Sequence, residues 1–304
     1  MGGYIDQHEV ANMAKNRQSF VSKLYPVLAK FPLPVLYALA YPIYLLGYYL
    51  VEKRRNVIFS NMQNSFPQKS DAELQRMAKL CFKRLVYVMV EAIKCGDLSE
   101  QEIQRHVSIK NPELIQQYAD NNQSILMLAA HHCNWEWLLA ACSLQLPFPI
   151  DVVYKPLHDL AVDEHMKKSR SRFNARPIPN KNALIEIMQR RKEVRGFAMV
   201  ADQSPMRKEE KYWTTFLNQD SSFAVGAQKI AQLTKYPTIF VGMRRLGLGQ
   251  YEVYFEELAQ APYKKEGYEL TEQYARALEK MILEQPEDWM WSNRKWKRKR
   301  GIYE

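Results

Sequence analysis

The sequence predicts an α/β fold, a mixed central sheet flanked by helices, and two observations carry that prediction. Five short apolar runs read as strands: "SILMLAA" (124–130), "FPIDVVY" (148–154), "GFAMVAD" (196–202), "PTIFVGMRR" (237–245) and "YEVYFEEL" (251–258). Helix-like segments such as "NALIEIMQRRK" (182–192) and "AVGAQKIAQLTK" (224–235) separate most of them, and strands alternating with helices imply a sheet covered on both faces. The composition agrees, since 47% apolar and 25% charged residues are globular values that exclude disorder over most of the chain. No internal repeat or low-complexity tract interrupts the 304 residues. The simplest partition is an N-terminal tail (1–30), an apolar anchor helix (31–52) and one domain (53–304).

Taken in order, the first thirty residues are mixed and partly polar. "FPLPVLYALAYPIYLLGYYLV" (31–51) then carries no charge at all and runs directly into "EKRR". No small-residue cleavage site follows, so a removed signal peptide is not expected. From Val35 to Val51 the run holds 17 residues, roughly 26 Å as a helix, which is just enough to cross a bilayer. Pro42 lies inside it, and Tyr37, Tyr41, Tyr44 and Tyr48 recur at helical spacing, a pattern suited to a membrane interface. A membrane anchor is the expectation, spanning or lying in one leaflet, with a buried hairpin of a soluble core as the alternative. If it spans, "EKRR" puts the main body on the cytoplasmic side. In the next stretch Ser70 and Asp71 form an N-cap signal, and apolar positions at spacings of three and four from Leu74 to Ile93 predict a long helix.

The densest polar cluster is "AAHHCNWEWLLAAC" (129–142), in which two histidines, a cysteine, an asparagine and a glutamate interrupt an apolar context. Its layout is an apolar run, a polar turn and an apolar helical stretch, and open α/β sheets collect their sites at such strand ends. His131 and Glu136 are five apart, so the turn can fold the carboxylate back to the imidazole. A carboxylate on one ring nitrogen fixes the tautomer and makes the other nitrogen a better base. Three other readings of the same residues stay open on spacing alone. His132, Cys133 and Glu136 could bind zinc, Cys133 could be a nucleophile, or Asn134 or His132 could simply cap the helix. A serine hydrolase is excluded for want of a GxSxG elbow.

The formal net charge of +10 favours an anionic partner: nucleic acid, acidic lipid, a phosphorylated substrate or an acidic carrier protein. Nucleic acid is disfavoured, because no helix-turn-helix, zinc-finger or RNA-recognition signature is present and the apolar segment would go unexplained. "RKWKRKR" (294–300) has six basic residues in seven, with Trp296 suited to headgroup depth, which makes it a membrane-surface contact or a solvated tail. Arg207 and Lys208 are either phosphate ligands or loop charges. The four cysteines, Cys81, Cys95, Cys133 and Cys142, are unevenly spaced without a CxxC pair and read as reduced thiols.

The stretch His131-His-Cys-Asn-Trp-Glu136 resembles the HX4(D/E) motif of the glycerolipid acyltransferase superfamily, and its "NWE" ending is similar to that of the late acyltransferases of bacterial lipid A biosynthesis. Further blocks resemble that family in order: "RRNVIFSNMQNSFPQKSDAE", "VVYKP" with "SRSRFNARPIP", "VADQSP" and "PEDWMWSNRKWK". Together they cover roughly residues 30 to 300. The resemblance implies a glycerol-3-phosphate acyltransferase-like sheet, an inner-membrane location with the domain on the cytoplasmic side, and no cofactor or metal. It implies transfer of an acyl chain from a thioester, on acyl carrier protein, to a hydroxyl of an anionic lipid acceptor, a lipid A precursor. His131 would be the general base and Glu136 its orienting partner. Arg170, Arg172, Asp202, Gln203, Asn134 and Lys155 would contact substrate. A variant acting on another lipid or pigment hydroxyl, and a non-catalytic basic membrane-surface protein, are the alternatives. The sequence departs from the family at "FLNQDSSFAVGAQ" after the "DQ" block, and at His132 and Cys133, where the family often has an aromatic and a glycine.

Overall fold

The computed structural model of the chain describes residues 24–157 and 159–301, so most of the expected N-terminal tail lies outside the described residues. The uncharged segment forms helix α1 (Leu33–Leu50), entered through Pro32 and containing Pro42. Helix α2 (Glu52–Ser65) follows after one residue, and the predicted long helix is α3 (Asp71–Cys95). Ser70 caps α3 with a full capping box: its hydroxyl accepts from the Glu73 N–H, and the Glu73 carboxylate accepts the Ser70 N–H at 2.9 Å.

Helix α1 lies along α3. The Tyr37 hydroxyl donates to Glu91 at 2.6 Å, while the Tyr44 and Tyr48 rings meet Phe82 at centroid distances of 6.4 and 5.7 Å. Later residues of α1 thus meet earlier residues of α3, and the two run antiparallel. Gly47 permits the close approach, because a Cβ there would sit 3.2 Å from the Phe82 ring. The tyrosine spacing read as a membrane-interface stripe is therefore mostly the protein-facing side: Tyr44 is buried beside Leu36 and Ala40, four residues apart along one face. Apolar side chains also occupy the other face, where Val35, Leu39, Ile43, Leu46 and Leu50 are exposed.

The domain is built on a seven-stranded sheet in the order β1-β9-β8-β2-β5-β3-β4. Its strands are β1 (Val107–Ile109), β2 (Ile125–Ala129), β3 (Ile150–Tyr154), β4 (Ala175–Pro179), β5 (Gly196–Val200), β8 (Thr238–Gly247) and β9 (Gln250–Ala259). All neighbours are parallel except β8 and β9, so the sheet is mixed as expected, and all five predicted strands are present. The sequence reading missed β4 for a physical reason. "ARPIP" has two prolines, which only an edge strand tolerates, and β4 is the edge. It also missed the hairpin β6 (Lys211–Phe216) and β7 (Gln219–Ala224), whose two-residue turn puts both Leu217 and Asn218 at positive φ without a glycine to announce it.

Side chains of β2 alternate between the two faces of the sheet. Leu126 and Leu128 pack with Phe240, Tyr274 and Leu278 on one side, where α10 (Glu269–Glu284) lies. Ile125, Met127 and Ala129 pack with Trp137 and Ala141 of α6 (Trp135–Gln145) on the other. The C-terminal segment is fastened to α2 by Asn61, whose amide donates to the carbonyls of Trp291 and Asn293 at 2.9 and 3.0 Å. Asn61→Ala strips both carbonyls of their donor, and urea unfolding is expected to show a loss of about 1–3 kcal/mol.

Candidate active site

Two parallel neighbours, β2 and β5, build the site. Their register pairs Ala129 with Val200, and the Ala201 N–H donates to the Ala129 carbonyl at 3.3 Å just beyond the last pair. Two residues past that pair the chain places His131 on one side and Asp202 on the other, and the His131 Nδ1 meets the Asp202 Oδ1 at 2.8 Å. The position is a switch point of the sheet: the chain leaves β2 through α6 toward β3 and later passes from β5 to β8 on the opposite flank.

The C-terminal segment completes the arrangement. The Cys133 N–H donates to the Asp288 carbonyl at 2.9 Å, and the Met290 N–H donates to the His131 carbonyl at 3.0 Å. This short antiparallel pairing holds Trp289, whose Nε1–H donates to the Asp202 Oδ2 at 3.0 Å. Both Asp202 oxygens thus accept a hydrogen bond while the residue is 2% exposed. Burial by itself raises the Asp202 pKa, but the His131 charge and hydrogen bond, the Trp289 donor and the nearby Lys295 outweigh it and hold the carboxyl below its ordinary range. For His131, burial pulls the pKa down, while Asp202 and then the Glu136 charge push it up, and the net direction is up. With Nδ1–H given to Asp202, Nε2 is left as the nitrogen that can take a proton.

The expected bond from Glu136 to His131 is not the one the fold makes. Glu136, in the first turn of α6, is gripped by Arg170 at the end of α7 (Leu160–Arg170), through Nε at 2.8 Å and Nη2 at 2.5 Å. A fork-to-fork pair of this kind uses both carboxylate oxygens, which is why the imidazole takes its carboxylate from the neighbouring strand instead. Glu136 still acts on His131 through its charge. Trp135 bridges the two pairs, with its Nε1–H donating to Glu136 at 3.0 Å and its ring edge-on to His131 at 5.1 Å.

The remaining candidates divide. Arg172 donates to the carbonyls of Cys95 and Leu98 at 2.7 and 2.6 Å, so it satisfies the end of α3 rather than facing a substrate. Asn134 is the N-cap of α6, accepting from the Trp137 N–H at 3.0 Å and donating to Glu91 at 2.8 Å, and is fully buried. The capping reading of the cluster is thus right for Asn134. Gln203 beside Asp202 and Lys155 beyond β3 are exposed. His132 is buried with both ring nitrogens 3.1 Å from backbone carbonyls, those of Met243 and Gln285. Burial raises the Cys133 thiol pKa well above normal, which disables it as a nucleophile. Cys133 sits at φ 52°, in the left-handed region where glycine alone carries no Cβ penalty.

Sequence reasoning missed the pairing of His131 with Asp202 and Trp289. The partners are 71 and 158 residues away, and no local spacing encodes a register across strands. It also missed Glu91, a buried carboxyl on α3 beneath the N-cap, which accepts from Tyr37, Asn134 and Tyr251 and whose pKa burial raises.

Fold and site define an α/β enzyme with a histidine–carboxylate pair at the switch point of its sheet. The chain belongs to the bacterial lipid A biosynthesis acyltransferase family, whose pattern matches residues 11–298, and it is an O-acyltransferase. It is 22% identical over 272 residues to the lipid A biosynthesis palmitoleoyltransferase of Escherichia coli (strain K12), covering 88% of this chain and 86% of the relative. The lipid A biosynthesis lauroyltransferase of the same organism is 21% identical over 273 residues, covering 89% and 88%. A lipid A biosynthesis acyltransferase of Shigella flexneri is 22% identical over 272 residues, with 88% and 86% coverage.

Asp202→Asn removes the charge that raises the His131 pKa. The rising limb of kcat/KM against pH is therefore expected to move to lower pH, while the plateau falls by about 10²–10⁴-fold. An unmoved limb would detach Asp202 from the titrating group. Cys133→Gly relieves a left-handed φ and is expected to retain near-normal turnover and a normal melting temperature. A loss of turnover in the folded variant would instead revive the thiol as a participant.

Proposed function

We propose that the chain transfers a fatty acyl group from the thioester of an acyl carrier protein to a hydroxyl of a lipid A precursor at the cytoplasmic face of the inner membrane. The observation that carries this reading is the His131–Asp202–Trp289 chain of hydrogen bonds at the switch point, in a chain of this family.

In the proposed reaction the His131 Nε2 removes the proton from the acceptor hydroxyl, and the resulting oxygen attacks the thioester carbonyl. Asp202 stabilises the imidazolium formed at that moment. The tetrahedral intermediate collapses by breaking the carbon–sulfur bond, and the departing thiolate takes the proton back from His131. Atoms and charges balance without a protein-bound acyl group. Arg170 spends Nε and one Nη2 bond on Glu136, and its remaining N–H donors are suited to the developing oxyanion, a contribution of about 3 kcal/mol for one such donor. Glu136 in this scheme holds Arg170 and adds its charge to His131.

The exposed aliphatic face of α1 supports membrane residence. Val35, Leu39, Ile43, Leu46 and Leu50 form one side of the helix, and α3 on its other side carries Lys79, Lys83 and Glu91 beside the α1 tyrosines. A spanning pose would carry those charges toward the bilayer centre at several kcal/mol, so this helix lies in one leaflet in the proposed arrangement. The positive charge of the chain suits an acidic carrier protein and a phosphorylated acceptor.

Mass spectrometry of cell lipids tests the reading in a deletion strain complemented with the wild-type gene, His131→Ala or Glu136→Gln. Lipid A that lacks one acyl chain, restored fully by wild type and not at all by His131→Ala, is expected. Glu136→Gln should give partial restoration, since it releases Arg170 but keeps the base. Full restoration by His131→Ala would sink the mechanism, and a chain missing from some other lipid would replace the acceptor.

A further inference from the structure

Away from His131, a cleft of about 1170 Å³ is walled by one face of α2 from Glu52 to Asn64, by Gln219 and Asp220 at the start of β7, and by Arg294 and residues 296–300. Its lining holds six basic side chains against two acidic ones, Glu52 and Asp220. Among the described residues, Lys53, Arg294, Lys297 and Lys299 make no ion pair, while Asn56, Ser60 and Asn64 add neutral hydrogen-bonding groups to the α2 wall. Six cationic groups against two carboxylates leave the recess with an excess of positive charge, an arrangement stabilised when an anion enters.

The walls are fixed rather than loose. Asn61 ties α2 to the carbonyls of Trp291 and Asn293. Lys295 turns inward, 2% exposed, and donates to the Ser222 carbonyl at 2.9 Å. The Trp296 Nε1–H donates to the Ser221 hydroxyl at 2.6 Å. Trp296 both lines the cleft and stands edge-on to Trp289 at 5.9 Å, and Trp289 holds Asp202. One indole therefore separates the cleft wall from the residue that orients the base. The cleft also begins at Glu52 and Lys53, directly after the exposed Leu50 and Val51 that end the apolar face of α1, which is headgroup level for a helix lying in a leaflet.

From this we infer that the cleft is the seat of a phosphate-bearing sugar headgroup, that of the acceptor lipid, held there while its acyl hydroxyl reaches His131. The inference rests on the proposed acyltransferase reading and names the binding site of that reaction's acceptor. Size separates this occupant from a bulk phospholipid, because drug-sized ligands fill clefts of roughly 300–1000 Å³ and a single phosphodiester headgroup is far smaller. Shape separates it from the acidic carrier protein, because protein partners dock on broad surfaces of about 800 Å² a side rather than in a recess.

Binding is measured first, without acyl donor, by the tryptophan fluorescence of the full-length protein in detergent micelles. The probes are a bisphosphorylated tetra-acyl glucosamine disaccharide and the same lipid with both phosphates removed. The double variant Arg294→Ala/Lys297→Ala, at two exposed positions, is expected to bind the phosphorylated probe at least tenfold more weakly, and removing the phosphates should cost that variant little more. The charge-conserving pair Arg294→Lys/Lys297→Arg should recover most of the binding, which separates loss of charge from loss of structure. Equal binding by the alanine variant, or an equal loss on the dephosphorylated probe, overturns the assignment. So does a matching loss on phosphatidylglycerol vesicles, which would make the patch a general membrane contact. Because no turnover enters the binding measurement, a protein that holds the phosphorylated lipid yet transfers no acyl chain would keep the site and remove the reaction.

Discussion

A carboxylate taken out of water must find donors for its oxygens, and Asp202 finds them in His131 and Trp289. Much of the domain is arranged around that requirement. The His131 bond depends on β2 and β5 being parallel neighbours in a fixed register. The Trp289 bond depends on residues 286–291 returning across the molecule and pairing with the turn after β2. Removing either partner would leave a buried charge half-satisfied, a cost greater than the net value of the hydrogen bond lost. The same constraint gives the histidine one tautomer and one orientation, with Nε2 turned away from the carboxylate.

A second carboxylate, Glu136, is neutralised separately by Arg170, and the two pairs meet at Trp135. Separating them has a chemical consequence. If both carboxylates bonded the imidazole, its proton affinity would rise further and the neutral base would be scarcer at neutral pH. As built, Glu136 bonds Arg170 and acts on His131 only through its charge. Beneath the site, Glu91 performs a third and wholly structural task. It joins α1, α3, α6 and β9 through Tyr37, Asn134 and Tyr251, so the helix with the exposed aliphatic face is bolted to the N-cap of the helix that carries Glu136. The exposed aliphatic helix and the active-site geometry therefore share one buried network.

How much of this was legible before the structure depended on the range of the interactions. Local signals were read well: the five apolar strands, the Ser70 cap, the position of His131 at a strand end, and Asn134 as a possible cap all rest on neighbours within a few residues. The tyrosines of α1 show where local reading misleads. Their helical spacing is real, but spacing does not say which side of a helix faces the protein when both sides are apolar, and packing against Phe82 and Glu91 turned most of them inward. Edge strand β4 and the glycine-free hairpin turn were hidden because their sequences break the usual composition rules while tertiary pairing sustains them.

The sequence by itself determined the fold class, the presence of a histidine and a carboxylate five positions apart, the basic balance and the family pattern, since each of these is written in composition or in short spacing. The tertiary structure alone decided which carboxylate serves which cation. Glu136 lies nearer to His131 in the chain, yet Asp202 lies level with it across a parallel strand pair, and hydrogen bonds reach only about 3 Å regardless of the number of residues between.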